Sequence, residues 1–565
     1  MPTGALAPDA ASRRGPGGLP AVSAWPEILA LALLLAGAAA IRVLRWQGTS
    51  LMFNDGPTFL TLAQWLSEGR YGEVIAHPYH PLYPFLVLLA HFWVGDWEQA
   101  AVLVSVIGGA ASVLCLWLFV RASFGREAAW IAAIFLAVQP RAIAFSADIL
   151  SDGLYLALFL AGVSCLWRAV EEEPRPALAG WAGVFSGLAY LARPEGLGIV
   201  VVGAALAALH TLRGRWRPVQ AGAWLAALVA AALMVALPYL TLLRIQNGGW
   251  VLTQKKSVTR LLALDDEGQA TLQPYARPQS EPAQSPAAEA SKDAGRAGIA
   301  QSVAPSPGIA GAQFLRAAFA VVRAVADAVR PWFLGLILLG AWVRRGRPGP
   351  AGELILCFLG LYAAILFTQS YHYGYVGARH ALPPMVLTFG YLAVAIPVLG
   401  SLLLMPFRRA RGAPMPHWLE AGAGLALVAA IGLGQGLRPE RPGARAEKNA
   451  ALWLAANAEH PGAVAAPKMR LAYYAGRAHV SLYAAPRGAA LIQALHQQGA
   501  QYVILEDRKL SDFPELGAAV GTSLRLVHSE ENRGRRAFVY ELTGAVSDAA
   551  AAPVEAPKAT PREDD

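Results

Sequence analysis

Acidic, basic and aromatic side chains cluster in this chain at a few short stretches that interrupt long apolar runs. Asp55, in LMFNDGPTFL, sits between two apolar segments. A carboxylate there is costly unless it is solvated, paired or used. It can serve as a general base that takes the proton of an attacking hydroxyl, and standing before Gly56 and Pro57 it also fits a helix N-cap. In HPYHPLYP, residues 77–84, His77, His80 and Tyr83 stand among three prolines. The histidines suit anion or metal binding, although a rigid turn accounts for the motif as well. In FSADILSDGLY, Asp148 and Asp152 are four residues apart and share a face if helical. Two acids so spaced repel, which invites a cation, a metal or a hydrogen-bonded ligand; an N-cap at Ser151 or Asp152 accounts for only one of them. Arg193 and Glu195 flank Pro194, Lys255 and Lys256 follow GGWVLTQ, and YHYGYVGARHALPP contributes Tyr373, Arg379 and His380. Arginine and lysine hold phosphates, aromatic faces stack on sugars, and each of these residues taken alone also fits an interfacial anchor.

These residues need a scaffold, and composition supplies it. Of 565 residues 55% are hydrophobic and only 15% charged, where soluble domains carry about 25% charge. The apolar blocks are long enough to cross about 30 Å of hydrocarbon. The net charge of +9 lies largely in arginine clusters between those blocks, which points to topology rather than nucleic acid. Cys115, Cys165 and Cys357 are far apart inside apolar blocks, so neither a disulfide framework nor a cysteine zinc site is signalled. About eleven spans are expected, near 26–46, 98–120, 127–144, 152–169, 177–192, 196–212, 221–243, 316–343, 353–369, 381–405 and 418–436. Arginines follow the second, fourth, sixth, eighth and tenth, which sets the N-terminus in the cytoplasm; Arg42 and Arg45 are the exception.

The expected organisation is a disordered cytoplasmic segment 1–25 and a transmembrane domain 26–436. That domain contains a first outer loop, 47–97, with two interfacial helices, and a disordered outer insert, 265–312. An extracytoplasmic α/β domain, 437–545, and a disordered tail, 546–565, complete the chain. In the α/β domain the sequence predicts a helix over 446–459, a strand over 501–505 and a hairpin from SLRLVHS and RAFVYEL. With this topology the acids, bases and cations converge on the outer face.

The order of ND at 54–55, HPLYP at 80–84, SADILSDGLY at 146–155, ARPEG at 192–196, PYL and GGWVLTQK at 238–255, and GARHALP at 377–383 resembles the GT-C superfamily of lipid-linked-sugar glycosyltransferases. The best match is the family-39-like branch, with protein O-mannosyltransferases and lipid A aminoarabinose transferases. The resemblance covers most of the chain to about residue 436. It implies a polytopic α-helical GT-C fold in the inner membrane, a polyprenyl-phosphate-linked sugar donor, and inverting transfer to an extracytoplasmic hydroxyl of a glycan, lipid or protein. The family's first-loop acid, its catalytic base, maps onto Asp55, and its acid at the start of span four onto Asp148 or Asp152. His80, Tyr83, Arg193, Glu195, Lys256, Tyr373, Arg379 and His380 are the expected donor phosphate and sugar contacts. No cofactor is required; a divalent metal among Asp55, His77, His80 and Asp148 is left open. HPLYP replaces a Lys-Pro-Pro-type sequence of the aminoarabinose transferases, and His380 replaces an aromatic residue of many relatives. The bilayer is a partner and nucleic acid is not. A transporter or flippase of lipid-linked sugars would call for ionisable residues deep in the spans and a two-half repeat, and neither is evident; a catalytically silent scaffold is the third reading.

The topology makes a direct expectation. Cysteines placed at positions 60, 260, 375 and 500 react with a membrane-impermeant thiol reagent in intact cells, and one at 214 or 346 does not. Labelling at 346 without labelling at 260 would reverse the orientation.

Overall fold

The computed structural model describes residues 25–171, 173–255, 307–345, 350–411, 414–488 and 490–543. The expected disordered tail 546–565, most of the expected N-terminal segment and nearly all of the insert 265–312 lie outside the described residues.

Every segment expected to span is helical. The order begins α1 (Trp25–Gln47), α2 (Gly56–Ser67), α3 (Tyr71–Ala76), α4 (Leu82–Val94), α5 (Trp97–Phe124), α6 (Arg126–Val138), α7 (Pro140–Ser146) and α8 (Asp152–Val170). It continues through α9 (Pro176–Ala192), α10 (Gly198–Leu212), α11 (Pro218–Asn247), α12 (Pro307–Val329), α13 (Pro331–Val343), α14 (Pro350–Tyr373), α15 (Ala378–Val386), α16 (Phe389–Leu403), α17 (Met405–Arg411) and α18 (His417–Gly436). By length and composition seven helices among the described residues can cross a membrane, or up to ten if each bent pair is one span. The fifth expected span, α9, has only 17 residues and is not among them.

Three expected spans are broken. The chain bends by 57° between α6 and α7, by 91° between α12 and α13, and by 76° between α15 and α16. Pro140 and Pro331 open the second halves of the first two, and Pro383 and Pro384 lie inside α15. Proline withholds a backbone donor and pushes the residue before it away from helical geometry, so a run that reads as one apolar block becomes two elements. Arg330 at the sharpest break has φ 71°.

Small residues set how closely the helices approach, as expected where lipid gives no hydrophobic drive for helix association. A Cβ on Gly108 of α5 would meet the Leu154 backbone nitrogen of α8 at 2.5 Å, and one on Gly183 or Gly187 of α9 would run into α11. The α5–α8 approach matters most for the site, because it fixes the start of α8, where Asp152 lies.

After α18 the chain forms the expected α/β unit. It comprises α19 (Arg445–Asn457), β1 (Ala463–Ala466), α20 (Met469–Tyr474), β2 (His479–Ser481), α21 (Ala490–Gln497), β3 (Ala500–Glu506), α22 (Asp507–Leu510), α23 (Pro514–Ala519), β4 (Leu524–Asn532) and β5 (Arg535–Leu542). The sheet order is β2-β1-β3-β5-β4, with parallel β2-β1-β3 pairing and an antiparallel β4–β5 hairpin. The helix, the strand and the hairpin read from sequence are present; β1 and β2, four and three residues long, are too short to give a periodic signal. One apolar cluster runs from Leu51, Met52, Phe59 and Leu60 of the first loop into Ala446, Ala450, Leu454 and Leu471 of this unit. The α/β unit is therefore packed onto the loop that carries Asp55.

The glycine contacts give a stability test. A Cβ on Gly400 of α16 would collide with the Glu420 carbonyl of α18. Overpacking of this kind typically costs about 1–3 kcal/mol. Gly400→Val should lower the melting temperature of the purified protein, and an unchanged melt would mean that α16 and α18 do not touch.

Candidate active site

Asp55 precedes α2, but its side chain makes no capping hydrogen bond to that helix. One of its oxygens instead accepts from Arg379 Nη1 at 2.6 Å, and both side chains are 18% exposed. The N-cap explanation of Asp55 is thus not realised, and Asp55 and Arg379 join across 324 residues. Gly377, in extended geometry, precedes α15 and sets Arg379 in its first turn.

The two acids of FSADILSDGLY part company. Asp148 precedes α8 and accepts hydrogen bonds from the backbone N–H groups of Phe53 (2.9 Å) and Ile149 (2.8 Å), while its second oxygen takes Arg441. Asp152, the first residue of α8, pairs with Arg193, which also lies 3.6 Å from Glu195. Arg193 follows α9, and the 3-10 turn Pro194–Leu197 presents Glu195. The shared face inferred from spacing does not form, because helical structure begins only at Asp152.

Arg193, Glu195, Arg379 and His380 line a chamber with Tyr155, Tyr362 and Pro383, and the Tyr155 and Tyr362 hydroxyls hydrogen-bond to each other. A neighbouring cavity is lined by Asp152, Arg379, Ser146 and Ser112. Several polar atoms here are buried without a hydrogen-bond partner: Asp152 Oδ2, Arg379 Nε and His380 Nδ1, while Glu195 Oε2 has only the Arg193 guanidinium at 3.6 Å. Unsatisfied buried polar atoms are few in native proteins, and these collect around Arg193 and Arg379.

Two loops complete it. Tyr79 stacks on Phe59 with centroids 4.9 Å apart, and burial, with the Asp55 carboxylate beside it, raises its phenol well above the ordinary range. Gly248, φ 71°, ends α11 in the left-handed region and turns the chain towards Lys255. Lys255 Nζ lies 6.0 Å from the Tyr79 ring centre; burial lowers its pKa, and Glu195 opposes that shift. Lys256, the expected phosphate contact, lies outside the described residues.

Three expected contacts are placed differently. His80 is buried with both ring nitrogens engaged, Nδ1 with the Tyr190 carbonyl at 2.6 Å and Nε2 with Thr253 Oγ1 at 3.0 Å. It clips the first loop to α9 and to the segment before Lys255. Tyr83 is fully buried and donates to the Ala101 carbonyl at 3.0 Å, with Ser105 Oγ at 2.7 Å, which ties α4 to α5. Tyr373 ends α14 and does not line the chamber. Nor does the suggested metal set assemble: Asp148 holds two backbone N–H groups and Arg441, His80 holds Tyr190 and Thr253, and His77 Nδ1 accepts from the Tyr79 N–H at 3.1 Å. Among the described residues no three His, Cys, Asp or Glu side chains are grouped so as to hold a metal ion. Tyr155, Tyr362, Arg441 and Arg470 were missed, since single tyrosines in helices and arginines in a soluble-looking segment carry no sequence signal.

A charged chamber thus lies among broken helices, and a small α/β unit packs on the loop that carries Asp55. The fold is similar to that of ArnT from Cupriavidus metallidurans in the apo state, with a TM-score of 0.56, 13% identity, and coverage of 92% of this chain and 98% of that one. For the same protein bound to undecaprenyl phosphate the values are 0.55, 13%, 94% and 100%. Residues 76–241 match the family model described as dolichyl-phosphate-mannose-protein mannosyltransferase, a stretch that holds Asp148, Asp152, Arg193 and Glu195. No curated protein matches the chain significantly. Over residues 76–241 the chain is thus similar to that mannosyltransferase family, and its overall fold is similar to that of ArnT.

The Asp152–Arg193 pair is testable by itself. Removing one partner of a buried ion pair typically costs about 3–5 kcal/mol. Arg193→Met should therefore lower thermal stability sharply, and adding Asp152→Asn should recover part of the loss. A single variant that melts with the wild type would mean that the pair does not form.

Proposed function

We propose that the chain is an inverting glycosyltransferase that moves a sugar from a polyprenyl-phosphate donor to an acceptor hydroxyl on the extracytoplasmic side, with Asp55 as general base. The observation that carries this reading is the Asp55–Arg379 ion pair beside a chamber of unpartnered polar atoms. That ArnT binds undecaprenyl phosphate supports a lipid-phosphate donor.

The acceptor oxygen attacks the anomeric carbon as its proton passes to an Asp55 oxygen, and the bond from that carbon to the phosphate oxygen breaks. The polyprenyl phosphate leaves with its electron pair, and Arg379 and Lys255 stabilise the charge that develops on it. At rest Arg379 Nη1 occupies an Asp55 oxygen at 2.6 Å. The donor phosphate competes for the same guanidinium, so its arrival draws Arg379 away and leaves Asp55 to the acceptor hydroxyl. Arg193, tied to Asp152 and Glu195, acts as a fixed positive wall. The acceptor reaches Asp55 from the extracytoplasmic side, where the unit at 437–545 packs on the first loop.

Asp55→Asn keeps the size of the side chain and Asp55→Ser keeps a small hydrogen-bonding group, and neither offers a carboxylate. Both should retain binding of undecaprenyl phosphate while transfer falls by about 10²–10⁴-fold. Transfer at the wild-type rate by either variant rules out the base; loss of undecaprenyl phosphate binding in both would move Asp55 to the donor site.

A further inference from the structure

Asp55 hangs from a short stretch, Leu51–Met52–Phe53–Asn54, that has no regular structure of its own. Its backbone is held from two sides. Asp148 takes the Phe53 N–H at 2.9 Å. The Met52 carbonyl accepts from Arg441 Nη1 at 3.3 Å and from Arg470 Nη1 at 3.1 Å. Arg441 also donates to the second oxygen of Asp148, so one guanidinium grips both the stretch and the acid that holds it. The Phe53 ring lies between two guanidiniums, with Arg379 5.7 Å and Arg441 5.6 Å from its centre.

Both arginines come from beyond the last expected span. Arg441 links α18 to α19 and adopts φ 53°, a left-handed geometry seldom taken by a non-glycine residue. Arg470 is buried in α20 and lies 3.5 Å from Glu447 of α19. Glu440, next to Arg441, pairs with Arg45 of α1 at 2.8 Å. Strained backbone persists where surrounding contacts over-determine it, and here those contacts converge on Met52 and Phe53.

We propose that Arg441 and Arg470 are positioning residues of the transfer reaction: from the C-terminal segment they lock Met52 and Phe53 against Asp148 and so set where the Asp55 carboxylate stands. This rests on the role of Asp55 given above. It assigns Asp148 to the lock and leaves Asp152 as the acid of the chamber. The α/β unit is then a working part of the active site rather than an appended module.

The test uses the full-length chain in lipid nanodiscs, with the variants Arg441→Gln, Arg470→Gln, Asp148→Asn and Arg470→Lys. Hydrogen–deuterium exchange of the peptide spanning residues 50–56 should rise about tenfold or more in the first three, because local opening no longer breaks the lock. Undecaprenyl phosphate should bind within roughly threefold of wild type. Donor KM should change little while kcat falls by about 10²-fold, the usual cost of misplacing a reacting group by an ångström. Arg470→Lys, whose ammonium still donates to the Met52 carbonyl, should recover much of the kcat, and it carries the test if the glutamine variants do not fold. Adding Arg441→Gln to Asp55→Asn should slow transfer no further. Unchanged exchange at 50–56 overturns the lock, and raised exchange with wild-type kcat overturns its role in positioning. A wild-type protein that transfers no sugar would defeat the functional reading instead, while the exchange measurements still decide the lock.

Discussion

A carboxylate at the edge of hydrocarbon must have its charge balanced by the same chain, and that requirement organises this molecule. Asp55, Asp148 and Asp152 each meet an arginine that lies 324, 293 and 41 residues away in sequence. The partners arrive where helices are interrupted: Arg379 at the head of α15, after Gly377, and Arg193 ahead of the Pro194 turn.

The charges around the chamber are matched in sign: Asp152 and Glu195 meet Arg193, and Asp55 meets Arg379. Under the proposed reaction, binding of a phosphate is an exchange of partners rather than the filling of an empty positive hole. Exchange keeps the desolvation cost low, because each guanidinium already sits where its charge is compensated in the fold. On that reading it also links occupancy by the donor to the freeing of a base.

Much of this was legible in the sequence, and for physical reasons. Apolar length located the long helical blocks, though not the breaks inside three of them nor the short α3 and α17, and residue types and order nominated Asp55, Asp148 or Asp152, Arg193, Glu195, Arg379 and His380. What could not be read is direction. His80 and Tyr83 have the chemistry of ligands, yet their polar atoms turn to Tyr190, Thr253, Ala101 and Ser105. Four-residue spacing joined Asp148 to Asp152 only on the assumption of a helix that begins one turn later than supposed. Arg441 and Arg470 were invisible because their targets are backbone atoms more than 350 residues distant, and a backbone carbonyl has no sequence signature.

The distance between Asp148 and Arg441 has a consequence in time. A ribosome adds about 5–20 residues per second, so the 293 residues between them take roughly 15–60 s to make. Throughout that interval Asp148 is already synthesised and Arg441 is not, whereas Asp152 has its partner Arg193 after only 41 residues. The Asp148 pair therefore closes only once Arg441 has emerged. A ribosome that stalls before that point leaves a fragment whose first helices can be complete while Met52 and Phe53 lack the hold of Arg441 and Arg470.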